Sequence, residues 1–226
     1  IEELMQKDER GQSFIDRFME TAHSLVYAID PANANDMTGG VPVVYNGNDE
    51  QLVLQRFGHN PKTSKQLSNV EQVKLIHRHI DSLYRDERVP IVNKSLTKIM
   101  LIDCAGADLF IQCQYEFEPL GWNVIKMTKK DIKRTLEIMN NILATDKCTI
   151  INYGDDGIYD YTLGQWTHTD PLISELESVR IADIKTPAGS KVGLNPEDPN
   201  DTFDAFRYNT AWYFKVEDVT ESLQNS

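Results

Sequence analysis

Three aspartates stand where carboxylate chemistry could be done. Asp30 closes the apolar run 23–30 just before Pro31, Asp103 closes the run 98–103, and Asp201 stands ahead of the last amphipathic segment, with Asp204 one helical turn further on. Side chains at the carboxyl ends of neighbouring strands converge on one sheet edge, the edge where open α/β sheets place ligands. Apolar neighbours offer such carboxylates no cation, and two or three held together repel unless a divalent metal lies between them. Paired metals roughly 3.5–4 Å apart ionise an attacking water and stabilise the leaving oxygen of a phosphodiester. Each acid alone also has a plain structural reading: Asp30 as a turn former before proline, Asp103 as a cap, Asp201 as a helix N-cap. It is the ordered set on one sheet that favours chemistry.

The elements that must position these acids follow from periodicity. Residues 2–21 read as a short helix or linker remnant, and 23–30 as a buried strand stopped by proline. After a turn-rich stretch at 33–40, residues 41–45 and 51–57 predict two strands joined by a tight hairpin at Asn46-Gly-Asn-Asp49. A helix capped by Ser68 or Asn69 runs to about residue 84. Then come a strand at 98–103, a helix at 108–117, a strand at 122–126, a helix at 129–144 with Ile132, Leu136, Met139 and Leu143 on one face, and a strand at 148–152. Residues 171–178 read as helix, 183–202 as loop, and 203–216 as the final helix. The expected fold class is α/β, an RNase H-like mixed central sheet in which an antiparallel meander is followed by β-α units, flanked by helices.

Composition narrows the classes further. Of 226 residues, 40% are hydrophobic and 26% charged, too apolar for a disordered chain. Lys and Arg number 23 against 35 Asp and Glu, a net charge of −12, which disfavours a DNA-coating role yet suits a site for hard divalent cations. No apolar run reaches the ~18 residues of a membrane span, so no membrane partner is expected. The start has no signal-peptide pattern and no initiator Met, which reads as a fragment of a longer polypeptide. Three cysteines without a CxxC pair suggest neither a disulfide framework nor a zinc site, and a reduced cytosolic compartment.

Several segments resemble the nuclease domain of tailed-bacteriophage large terminase subunits. Tyr27-Ala-Ile-Asp-Pro-Ala32 is similar to that family's first metal-binding strand. Leu101-Ile-Asp-Cys-Ala-Gly-Ala-Asp108, followed by Leu120-Gly-Trp-Asn-Val, is similar to its second acidic strand and the glycine continuation. Lys126-Met-Thr-Lys-Lys-Asp-Ile-Lys-Arg134 resembles its basic stretch and Pro171-Leu-Ile-Ser-Glu-Leu176 a short Glu-Leu segment. Asn200-Asp-Thr-Phe-Asp-Ala-Phe-Arg-Tyr208 resembles the terminal "Asp-x-x-Asp-Ala-x-Arg-Tyr" motif, the most specific of the set. The likeness spans about residues 23–215 in order.

The resemblance implies an RNase H-like nuclease domain at 23–226, with 1–22 as linker remnant or N-terminal helix. It implies a metal-dependent endonuclease that cuts concatemeric double-stranded viral DNA, with Mg²⁺ or Mn²⁺, two ions, as cofactor. The catalytic and metal-binding residues it implies are Asp30, Asp103 and Asp201, with Asp204 as rival for the third position; Asp36 and Asp108 are possible outer ligands or plain loop and cap residues. The partners it implies are an N-terminal packaging ATPase domain, the portal and the small terminase subunit, in the host cell cytoplasm. A GxxxxGK[ST] loop is absent from these residues, so ATP hydrolysis is not expected of them. Lys126, Lys129, Lys130, Lys133 and Arg134 read either as a solvated helix face or as DNA phosphate contacts. Arg207 reads as structural or phosphate-facing. His77 and His79 do not share a helix face and make a poor metal pair. An RNase H-like resolvase or hybrid nuclease, or a non-catalytic docking module for a portal or partner, are the competing readings.

Overall fold

The computed structural model describes residues 9–31, 38–59, 67–103, 107–127, 132–151, 158–160, 165–167, 171–186, 189–194 and 201–216. In chain order the elements are α1 (Glu9–Glu20), β1 (Ala22–Asp30), β2 (Thr38–Asn46), β3 (Gln51–Val53), β4 (Phe57–His59), α2 (Asn69–Arg85), β5 (Thr97–Asp103), α3 (Ala107–Phe117), β6 (Trp122–Met127), α4 (Ile132–Ala144), β7 (Cys148–Ile150), β8 (Ile158–Asp160), β9 (Gln165–Thr167), α5 (Pro171–Ser178), β10 (Ile181–Thr186), β11 (Gly189–Leu194) and α6 (Asp201–Tyr213). The central sheet runs β6-β5-β1-β2-β3-β7, with β4 also on β2. β6, β5 and β1 are mutually parallel, β2 is antiparallel to β1, β3 and β4, and β7 is parallel to β3.

The two-residue period of a strand divides the core. On β1 and β5, Leu25, Tyr27, Ile29, Met100 and Ile102 face one side, where Phe18 and Met19 of α1, the apolar stripe of α2 and Leu109, Cys113 and Phe117 of α3 cover them. Val26, Ala28, Ile99 and Leu101 face the other, against Leu136 and Met139 of α4, Leu172 of α5 and Phe203, Ala205 and Phe206 of α6. Helices therefore lie on both faces of a sheet whose central strands are apolar over residues 25–29 and 99–102, as a doubly covered parallel sheet requires.

Local chemistry explains most boundaries. α2 starts at a reciprocal capping box: the Ser68 hydroxyl accepts from the Glu71 amide, and the Glu71 carboxylate accepts from the Ser68 amide. At the β2–β3 turn the Asn46 side chain accepts from the Asn48 and Glu50 amides. On α4 the buried face is Leu136, Met139 and Ile142, while Leu143 is 38% exposed, so the stripe ends one residue earlier than its spacing suggests.

Four expectations are corrected. Residues 38–40 are not turn but the start of β2, where two glycines allow close packing rather than a bend. The single strand expected over 51–57 is split into β3 and β4 opposite Pro42. The Pro42 carbonyl accepts from the Leu54 amide but the ring nitrogen has no hydrogen to return, so pairing lapses there. Buried Arg56 then donates to the Leu54 and Ile151 carbonyls freed at the gap. The stretch expected as loop contains the antiparallel pair β10–β11. Finally, α6 opens at Asp201 rather than at 203, which puts both acids of that segment in its first turn. Among the described residues no helix is long and apolar enough to cross a membrane.

Candidate functional site

The register of β1 against β5 brings the first two acids side by side. Ile29 pairs with Ile102, so Asp30 and Asp103 are the next residues on adjacent parallel strands, roughly 4.8 Å apart. Alternation turns both carboxylates toward the face that carries Val26, Ala28, Ile99 and Leu101, the face covered by α6. Asp30 is part-exposed at the rim and Asp103 is buried.

Delivery of α6 to that rim depends on glycine. Gly39 pairs with Asp30 across β2, and a Cβ placed on it would lie 2.6 Å from the Asp201 carbonyl carbon and oxygen and 2.7 Å from the Thr202 nitrogen. Only a residue without a side chain lets the helix start so close to the strand. Further along, the Asn209 side-chain amide donates to the Val41 carbonyl at 2.8 Å and pins α6 along β2. From α5, buried Glu175 reaches the same helix start: its Oε2 accepts from the Thr202 hydroxyl and the Phe203 amide, both at 2.7 Å.

Two consecutive residues of α6 then each hold one acid. The Tyr208 hydroxyl donates to Asp103 Oδ2 at 2.6 Å, across 105 residues of sequence. Arg207 Nε donates to Asp204 Oδ1 at 2.7 Å, with the guanidinium 4.7 Å from the Tyr208 ring. Asp30 has no hydrogen bond to its carboxyl among the described residues. Burial, then the charges of Asp204, Asp103 and Asp201, push its pKa well above the ordinary carboxylate range, with Arg207 pulling the other way. Burial opposes the Arg207 charge, but Asp204, Tyr208 and Asp30 outweigh it and hold its pKa up. Burial and then Asp30 and Asp204 raise the Tyr208 hydroxyl, so it remains a donor.

The structure thus brings Asp30, Asp103, Asp201 and Asp204 within electrostatic reach of one another, against one buried guanidinium. Even so, among the described residues no group of three or more His, Cys, Asp or Glu side chains stands in a metal-holding arrangement. Asp103 and Asp204 each commit one oxygen to a neighbouring side chain. The donor set still fits a hard divalent cation: it is all carboxylate oxygen, and the like charges of Asp103, Asp201 and Asp204 that act on Asp30, after burial, are ones a cation would offset.

The other candidate residues fall as follows. Lys126 is exposed at the end of β6, one strand from Asp103, and Lys133 and Arg134 are exposed on the first turn of α4. Lys129, Lys130 and Asp36 lie outside the described residues; Asp108 is exposed in the first turn of α3. His79 is buried and bonded through Nδ1 to the Tyr27 hydroxyl at 2.6 Å, whereas His77 is at the surface beside Glu116. An open groove of about 700 Å³ lies away from the acids, where Arg78, Arg85 and Arg88 alternate with Asp81, Asp86 and Glu87. Sequence reasoning missed Tyr208, Gly39 and Glu175 as parts of the acid rim. For Glu175 a signal existed: it follows Leu172 by three residues, a charge on the apolar face of a short helix.

No protein-family model matches the chain, and no curated protein matches it in sequence. Solved structures do. The large terminase nuclease domain of bacteriophage SPP1, determined with bound Mn, matches with a TM-score of 0.52 and 12% identity over 94% of this chain and 93% of that one. The large terminase of bacteriophage HK97 matches with a TM-score of 0.51 and 13% identity, over 91% of this chain and 43% of that one. The chain has the RNase H-like fold that large terminase nuclease domains share.

Proposed function

We propose that the chain is the divalent-metal-dependent endonuclease domain of a viral large terminase, cutting concatemeric double-stranded DNA during genome packaging by two-metal phosphodiester hydrolysis. One observation carries the reading: Asp30, Asp103, Asp201 and Asp204, drawn from three separate elements, gather at the carboxyl rim of the sheet in a fold shared with terminase nuclease domains. That the SPP1 domain was determined with bound Mn supports the choice of cofactor. Asp30, Asp103 and Asp201, with Asp204 beside them, would hold Mg²⁺ or Mn²⁺, and bound ions of this kind supply an activated water and neutralise the leaving oxygen.

The chain's own residues do the remaining work. Tyr208 fixes one oxygen of Asp103 and leaves the other for coordination, while Arg207 screens Asp204 within an excess of negative charge. Lys126, one strand from Asp103, together with Lys129, Lys130, Lys133 and Arg134, contacts backbone phosphates, a local attraction set against the −12 net charge. Residues 23–226 form the nuclease domain, with α1 as an N-terminal helix packed on its core. An upstream packaging ATPase domain, the portal and the small terminase subunit are its partners in the host cell cytoplasm.

Supercoiled plasmid incubated with the chain and Mn²⁺ tests this. Cleavage is expected for the wild type and absent in Asp30→Ala and Asp103→Ala, with duplex preferred over RNA–DNA hybrid or four-way junction. Equal cleavage by both variants would remove the proposed site, and a junction preference would favour a resolvase.

A further inference from the structure

Glu175 is an ionisable side chain only 3% exposed, delivered by α5, a helix that carries none of the four aspartates. Burying a carboxylate is unfavourable unless specific donors meet it, and here the start of α6 supplies them: the Thr202 hydroxyl and the Phe203 amide, both at 2.7 Å, with the Thr202 amide also turned to the carboxyl. The amide belongs to the first turn of α6, whose N–H groups have no partner within the helix. Oε1 is buried and makes no hydrogen bond among the described residues, and both 2.7 Å bonds fall on Oε2. Thr202 and Phe203 are flanked in sequence by Asp201 on one side and Asp204 on the other. The same turn abuts the backbone of Gly39, which in turn pairs with Asp30.

We propose that Glu175 is a positioning residue for the acid rim: its carboxylate clamps Thr202 and Phe203 against β2 and so sets where Asp201 and Asp204 stand relative to Asp30 and Asp103. The consequence for metal binding rests on the nuclease reading; the clamp itself does not. Partners that orient metal-binding side chains typically carry 10- to 100-fold in affinity. Removing the clamp leaves all four aspartates in place but frees the turn that carries two of them. Ion binding therefore weakens, and turnover falls while the KM for DNA is unchanged, because the basic residues proposed for phosphate contact are untouched.

Three variants of the whole chain decide the matter: Glu175→Ala, Glu175→Gln and Thr202→Val. The readouts are amide hydrogen exchange over residues 201–204, Mn²⁺ titration by calorimetry, and the kcat and KM of plasmid cleavage. Glu175→Ala is expected to speed exchange at Phe203 about tenfold or more while the amides of β1 stay slow, and to weaken Mn²⁺ binding by roughly 10- to 100-fold. Glu175→Gln keeps an acceptor oxygen and should restore most of both. Thr202→Val deletes the hydroxyl bond and leaves the amide donors, so it should fall between, which preserves the test if Glu175→Ala does not fold. Exchange and Mn²⁺ affinity at wild-type values in Glu175→Ala and Thr202→Val would overturn the proposal, as would a Glu175→Gln variant as impaired as Glu175→Ala. If the wild type itself neither binds Mn²⁺ nor cuts DNA, the nuclease reading fails, and exchange at Phe203 still decides the clamp.

Discussion

Replacing Asp30 by asparagine should make the metal-free protein more stable and the metal-loaded protein less so. Asp30 and Asp103 follow the paired residues Ile29 and Ile102 on adjacent strands, so their backbones sit about 5 Å apart with both side chains on one face, and charges carried at about that spacing repel. At an effective dielectric near 20 that repulsion is on the order of 3 kcal/mol. Asp204 and Asp201 add to it, burial adds again, and Arg207 offsets part. The pKa of Asp30 is higher in the folded state than in the unfolded one. Its contribution is therefore fully present below the ordinary carboxylate range, about 4, and is lost as pH rises through the raised folded value. In EDTA at neutral to mildly alkaline pH the ionised side chain opposes folding, and Asp30→Asn removes the charge with little change of shape. A gain of about 2 kcal/mol is expected, or a Tm higher by roughly 4–8 °C for a domain of this size. Under the proposed metal role of Asp30, millimolar Mn²⁺ should reverse the ranking, since ligand stabilisation scales with affinity for the folded state. Thermal unfolding of both proteins, in EDTA and in Mn²⁺, provides the four numbers. A variant no more stable than wild type in EDTA would mean that Asp30 is not held among like charges. Equal stabilisation of both by Mn²⁺ would mean that the ion binds elsewhere.

Tyr208→Phe deletes the hydroxyl that donates to Asp103 at 2.6 Å and leaves a buried carboxylate oxygen short of a partner. Hydrogen bonds to charged groups contribute about 1.5–3 kcal/mol, so urea unfolding in EDTA should show a loss of that size, and an unchanged midpoint would show that the bond is idle. Burial holds the His79 pKa down to about 3, against 6.5 for a free side chain. A neutral buried base adds stability above its unfolded pKa and loses it as pH falls, by a little over 1 kcal/mol per pH unit between about 6.5 and 3. Urea unfolding from pH 7 to pH 4.5 should show that slope in wild type minus His79→Gln; two parallel curves would contradict it.

Legibility in the sequence followed how local each cause was. Asp30 and Asp103 could be read because an unbroken apolar run ending in an acid is a property of eight or fewer neighbouring residues, and the shared register then sets them side by side. Asp201 and Asp204 could be read from their spacing, but the helix start could not, because it is fixed by Gly39 and Glu175, distant in sequence. Tyr208 stood in plain view within the terminal motif, yet its contact with Asp103 crosses 105 residues. Glycines misled in two ways. At 39 and 40 they serve close packing rather than a turn, and between 189 and 193 they belong to a strand whose pairing with β10 supplies the order that composition lacked. The split between β3 and β4 needed knowledge of which strand Pro42 would lie against.

α6 carries Asp201, Asp204, Arg207 and Tyr208 within eight residues, and it also fills one side of the core with Phe203, Ala205 and Phe206. During synthesis Asp30 and Asp103 leave the ribosome about a hundred residues or more ahead of this helix. Until it docks, Asp30 and Asp103 stand without Arg207 and Tyr208, and that sheet face has α4 and α5 but not α6 as cover. Completion of the acid rim and closure of the core are therefore one event, so that a half-made or C-terminally clipped copy lacks both.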